Sequence, residues 1–210
     1  MRSTAVLLER WGRVAGTGPD AARAGAALLG RWREPHRRYH TVAHLAAMLG
    51  RLDQLGADGE EVNDAVELAA WWHDAIYDVQ RTDNETRSAE LANAVLASLA
   101  LPAATTAEVA RLVVLTAGHR AAVGDRAGAA LCDADLAVLG SPLPAYRAYA
   151  SAVRWEYSDL DDDAFRRGRI AVLADLLDRS HLYATPAGRR WWEAAARANI
   201  GRELAELSAG

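Results

Sequence analysis

Glu61-Val62-Asn63-Asp64-Ala65-Val66-Glu67-Leu68-Ala69-Ala70-Trp71-Trp72-His73-Asp74-Ala75-Ile76-Tyr77 is an apolar stretch, predicted helical over about 61–77, that carries a histidine-aspartate pair near its end. His73 follows Val66 and Ala69 at helical spacing and precedes Ile76, so it belongs to the stripe that faces a core. Neighbouring side chains on a regular helix diverge by about 100°. His73 and Asp74 therefore reach one common partner only where a cleft meets the end of the helix.

Working outward, the same chemistry recurs at helical spacing on either side. Upstream, His40-Thr41-Val42-Ala43-His44 opens a segment in which His44 shares a face with Met48, Leu52 and Leu55. Downstream, in Asp133-Ala134-Asp135-Leu136, Asp135 lies between Leu131 and the pair Val138 and Leu139. A buried carboxylate is costly unless it is neutralised, paired or coordinated. In the order H … HD … D, His44, His73, Asp74 and Asp135 offer two imidazoles and two carboxylates, a set suited to one divalent ion with positions open for water and substrate. Manganese, iron, cobalt, nickel and zinc suit these ligands better than calcium, and magnesium fits if phosphate adds oxygen.

The rest of the chain reads as helix. Segments are predicted at about 3–15, 20–33, 40–56, 84–99, 106–119, 130–139, 143–157, 162–178 and 187–207, with scarcely any strand signal. Breaks fall at Gly16 to Pro19, Glu34-Pro35, Gly56 to Gly59, Pro102, Gly140 to Pro144 and Thr185-Pro186. Asp58 to Glu61, Thr82 to Glu85 and Thr105 to Glu108 each carry the pattern of a helix-start capping box. With no internal repeat or low-complexity linker, the 210 residues are expected to form one all-α domain, a helical bundle with its metal-site core at about 36–140 and C-terminal helices at about 143–207.

Composition narrows the function classes. The chain is 51% hydrophobic and 25% charged, ordinary for a globular protein, and its formal charge of −4 gives no nucleic-acid footprint. All 24 basic residues are arginine, a bias for which genome composition is favoured over phosphate recognition, so it says nothing of substrate by itself. Nothing resembles a transmembrane span or signal peptide, and Cys132 is the single cysteine, so neither disulfide nor cysteine-rich zinc site is expected. Cytoplasmic residence without membrane partner follows as the expectation. The paired tryptophans Trp71-Trp72 and Trp191-Trp192 read as packing before base stacking. A C-terminal helix with Trp191, Trp192, Ile200 and Leu204 has apolar surface for the domain or for a homo-oligomer.

Trp71-Trp72-His73-Asp74-Ala75-Ile76-Tyr77-Asp78 and Asp83-Asn84-Glu85-Thr86-Arg87-Ser88-Ala89 resemble the predicted metal-dependent phosphohydrolase branch of the HD-domain superfamily. Tyr39 to His44, Thr116 to His119, Asp133 to Gly140, Leu182 to Pro186 and Ala196 to Asn199 fit the same branch, so the resemblance runs over roughly residues 30 to 207. It implies an HD-domain-like bundle that cleaves a phosphate ester or anhydride of a small metabolite, a nucleotide being favoured, by water activated on one divalent metal ion.

The resemblance also sorts the residues. It selects Asp135 over Asp133 as the last metal ligand, because that ligand usually stands directly before the bulky apolar segment. Asp133 is left as a first-turn or supporting carboxylate. Guanosine-alarmone-cleaving relatives carry a Glu-Asp pair after HD; here Tyr77-Asp78 stands there, so Asp78 is matched and the Glu is not. Asp78, one helical turn beyond Asp74, and Glu85 are the candidate proton-transfer groups, Asp74 serving catalysis as well as the metal. His40, one turn before His44, and His119 are expected on the substrate side, with a second metal left open. Among nearby arginines, Arg38 and Arg87 are favoured for phosphate over Arg37, Arg81 and Arg120. Two other functions remain: a non-catalytic metal or nucleotide sensor, and an HD-type di-iron oxygenase.

Overall fold

The computed structural model describes residues 2–209, which form ten α-helices and no strand. They are α1 (Arg2–Ala15), α2 (Pro19–Arg31), α3 (Val42–Ala57), α4 (Asp64–Trp72), α5 (Asn84–Ser98), α6 (Ala103–Leu115), α7 (Arg126–Leu136), α8 (Leu143–Glu156), α9 (Asp162–Asp178) and α10 (Pro186–Ala209), with a 3-10 turn at Ala137–Gly140. Among these residues no helix is long and apolar enough to cross a membrane.

Helix α4 is the hub. It is apolar on almost every face, and a helix of that kind is stable only when surrounded. It packs against α1, α3, α5, α6 and α7, burying Ala65, Val66 and Leu68 to Trp72. Glu67 escapes this by meeting Arg10 of α1 at 2.8 Å. Both Trp71 and Trp72 are core residues, edge-on to Trp11, rather than cleft-lining rings.

The periodic segments locate the helices, but the ends differ for identifiable reasons. None of the three anticipated capping boxes forms. Asp58 caps the C-terminus of α3, while α4 starts later, with the Asn63 side chain accepting from Val66 N–H at 3.1 Å. α5 has Asp83 at its N-cap without a side-chain bond, and α6 begins after Pro102. α7 begins at Arg126, where Asp125 accepts from Gly128 N–H at 2.9 Å.

The largest difference lies after Trp72, where α4 stops instead of running to residue 77. The following backbone is satisfied by side chains. Arg37 donates to the Asp74 carbonyl at 2.8 Å, and the Ser88 hydroxyl accepts from Ile76 N–H at 2.9 Å. His36 Nε2 donates to the Tyr77 carbonyl at 2.9 Å. At the other end of the pattern, Thr41 caps α3, so His40 lies outside the helix that holds His44.

α10 docks along the 3-10 turn and α9. Trp192 and Ile200 enter the chain's own core, whereas Trp191 is 38% exposed. Asn199 donates to the carbonyls of Leu139 and Ser141, both at 2.9 Å, and Tyr183 donates to the Leu136 carbonyl at 3.0 Å. Asp133 accepts from Ala184 N–H, Thr185 N–H and the Thr185 hydroxyl at 2.7–2.8 Å. It lies well past the first turn of α7 and ties α7 to the start of α10, which corrects the first-turn reading. Together these bonds hold the segment that carries Asp135.

Candidate metal centre

Three donor groups converge where three helix ends meet, and Asp74 stands beside one of them. α3 supplies His44 from its first turn, the end of α4 supplies His73 and Asp74, and α7 supplies Asp135 from its last turn. His44 Nε2 is 3.3 Å from His73 Nε2 and 3.0 Å from Asp135 Oδ1. His73 Nε2 is 3.0 Å from Asp74 Oδ2 and 3.7 Å from Asp135 Oδ1. Two ligands about 2.1 Å from a shared ion stand roughly 3.0–3.4 Å apart, so His44, His73 and Asp135 are spaced to share a divalent cation. Among the described residues these three form the group whose ligand atoms all lie within 4.8 Å of one another; Asp74 is outside that group and adjoins it through His73.

The surroundings favour that use. His73 Nδ1 donates to the Ala70 carbonyl at 3.0 Å, so Nε2 is the ring nitrogen that faces the cluster. The Trp32 ring packs against both His44 and His73. Burial lowers the pKa of the His73 imidazolium, but Asp74 and Asp135 outweigh it and raise it to about 9. Against burial, His73 and then His40 hold the Asp74 carboxyl well below its usual range. His73, His119 and His44 hold Asp135 down in the same way.

His119 joins the cluster from outside helix α6, its Nε2 2.7 Å from Asp135 Oδ2. Its backbone has φ of 48°, a left-handed conformation uncommon for a side-chain-bearing residue. Arg179 holds that turn by donating to the carbonyls of His119 and Gly118 at 3.0 and 3.1 Å.

His40 is set by a residue the sequence did not single out. Glu156, at the end of α8, accepts backbone N–H bonds from Arg38, Tyr39 and His40 with Oε1, at 2.5, 2.7 and 3.0 Å. Its Oε2 meets His40 Nδ1 at 2.7 Å and the Tyr77 hydroxyl at 2.8 Å. Burial works against the charge, but the His40 and backbone hydrogen bonds bring the Glu156 pKa down to about 2. The one signal in the sequence was an anion at a helix C-terminus, where the macrodipole disfavours it. Arg37, weighed among the phosphate candidates, has a different task. Its buried guanidinium sits between Trp32 and Tyr77, pairs with Glu34 and donates to the His40 and Asp74 carbonyls, so it braces the site rather than offering itself to phosphate.

The other anticipated residues lie elsewhere. Asp78 is exposed on a turn, where its carboxylate accepts from Gln80 N–H at 2.9 Å. It lines a separate cavity with His36 and Trp155. The expectation that it sits one helical turn beyond Asp74 fails because the chain is not helical there. Glu85 is half-buried in the first turn of α5, and Arg87 is exposed on the same helix; neither lines the two cavities that open on the cluster. Arg38 does line one of them, its guanidinium stacked 4.7 Å from the Trp155 ring.

Those two cavities adjoin at Tyr39, Asp135, Val138 and Tyr149. The smaller, about 320 Å³, includes His44, Arg38 and Arg51; the larger, about 740 Å³, includes His40 and His119. No protein-family model, curated protein or solved structure matches the chain.

Proposed function

We propose that the protein is a metal-dependent phosphohydrolase of the HD type, acting on a phosphate ester or anhydride of a small metabolite. The observation that carries this reading is the grouping of His44, His73 and Asp135, with Asp74 3.0 Å from His73, beside cavities that His44 and Asp135 line. Those four residues would hold one divalent ion. Such an ion, when bound, supplies hydroxide near neutral pH and polarises a phosphoryl oxygen.

The chain's own groups account for the rest. Arg38 and Arg51 line the smaller cavity and are in none of the ion pairs among the described residues; Arg38 stacks on Trp155, and Arg51 stacks on Trp192 and donates to Gln54 Oε1 at 3.1 Å. With no carboxylate partner, their remaining N–H groups can bind phosphate oxygens. Glu156 accepts at His40 Nδ1, which leaves His40 Nε2 to exchange a proton with the leaving group. In this arrangement His40 takes the part that the sequence offered to Asp78 and Glu85. Trp32 and Tyr39 wall the two ligand histidines from bulk water.

One observation favours keeping the di-iron oxygenase reading as the second choice: His119 adds an imidazole on the far oxygen of Asp135. The test is phosphate release from a panel of phosphoesters and anhydrides by protein stripped and reloaded with manganese, cobalt, nickel, zinc, iron or magnesium. Turnover that requires metal and falls by at least about 100-fold in Asp74→Ala supports the hydrolase. Two irons per chain with oxygen consumption and no phosphate release would replace it with the oxygenase.

A further inference from the structure

Both cavities are largely apolar, but the smaller is lined mainly by alanines, whereas the larger has bulky and aromatic walls. Those walls are Tyr149, Tyr157, Phe165, Val153, Val172 and Leu176, contributed by α8, its C-cap and α9. Val172 and Leu160, which also lines it, are 55% and 42% exposed, so apolar surface is left facing this space. Three arginines reach the cavity, and each is already engaged. Arg169 bonds Glu203 at 2.7 Å and the Tyr149 hydroxyl at 3.1 Å. Arg179 holds the Gly118 and His119 carbonyls and Asp175, and Arg120 meets the same Asp175 at 2.6 Å. The arginines without carboxylate partners, Arg38 and Arg51, stand on the other side of Asp135.

We infer that the larger cavity binds an uncharged aromatic or aliphatic group of the substrate, while the phosphoryl group sits beside the cluster toward Arg38 and Arg51. This rests on the phosphohydrolase reading for the phosphoryl end, but the pocket itself is defined by its own lining. It names the substrate class as a phosphoester with an apolar organic part, and it disfavours sugar phosphates and compounds with a second phosphate at the far end. A volume of about 740 Å³ suits one such group, within the range of small-molecule pockets.

Gly168 provides the test. It lies within α9 and lines the cavity, and a Cβ added there meets nothing within 4 Å. Gly168→Leu therefore adds a bulky side chain at the cavity wall while improving helix propensity, so loss of fold is not the expected outcome. The probes are two phosphonates that cannot be hydrolysed at the C–P bond, (1-naphthyl)methylphosphonate and methylphosphonate, titrated by calorimetry into metal-loaded protein. The wild type is expected to bind the naphthyl compound at least about tenfold more tightly than the methyl one, since burying a ring adds apolar area. In Gly168→Leu that preference should vanish with methylphosphonate binding unchanged. Equal binding of the two by wild type, a preference that survives Gly168→Leu, or no binding of either overturns the inference. Hydrolysis of 1-naphthyl phosphate by the same samples is a separate readout: no turnover with the preference intact contradicts the hydrolase reading and leaves the pocket standing.

Discussion

At the scale of single residues, the grouping of His44, His73 and Asp135, with Asp74 beside His73, was legible because their chemistry is out of place on apolar helix faces. Glu156 was not, because what defines it is a set of partners far along the chain. Glu156 is 116 to 118 positions from the groups it accepts from. Its consequence is measurable. The Glu156 pKa falls from the ordinary 4.5 to about 2, so its contribution to stability is complete above about pH 4.5 and is lost as pH drops toward 2. The size is about 3 kcal/mol. Glu156→Gln should be less stable than wild type at pH 7 by roughly that amount in urea unfolding, with a flatter decline between pH 4.5 and 2. Parallel acid limbs would contradict this account of Glu156.

At the scale of elements, the helices were legible and their ends were not. Periodicity identifies which residues face a core, but a helix stops where other groups take over its backbone hydrogen bonds. Arg37, Ser88 and His36 do so after α4, and that stop lets Asp74 turn toward the donor set of His73. Asp78 was misplaced for the same reason. Helix α10 makes a related point, since it supplies no donor atom yet fixes the segment bearing Asp135. Gly188 faces Asp133 and Thr185 with no room for a side chain. Gly188→Ala should destabilise the fold by about 1–3 kcal/mol in denaturant unfolding. It should also weaken metal binding, because Asp133 and Asp135 share the last turns of α7. Unchanged stability would show that α10 does not depend on this close approach.

At the scale of the molecule, the helices surround one continuous core, and α4 ends with His73 and Asp74 at its edge, behind the cavities that His44 and Asp135 line. A ligand that binds only the folded chain at that edge stabilises the whole. At 100 times its dissociation constant, a suitable divalent ion should add about 2.7 kcal/mol. For a chain of this size that raises Tm by roughly 5–11 °C. The rise should be absent in His73→Ala, and an equal rise there would place the stabilising ion elsewhere.

The most direct measurement is the metal content of purified protein after equilibrium dialysis against manganese, cobalt, nickel, zinc, iron or magnesium, with Asp135→Asn dialysed in parallel. One ion per wild-type chain, with weak or no binding by the variant, is the predicted result. A wild type that retains none of these ions, or a variant that binds as well as wild type, would contradict the assignment of His44, His73, Asp74 and Asp135 as a metal centre.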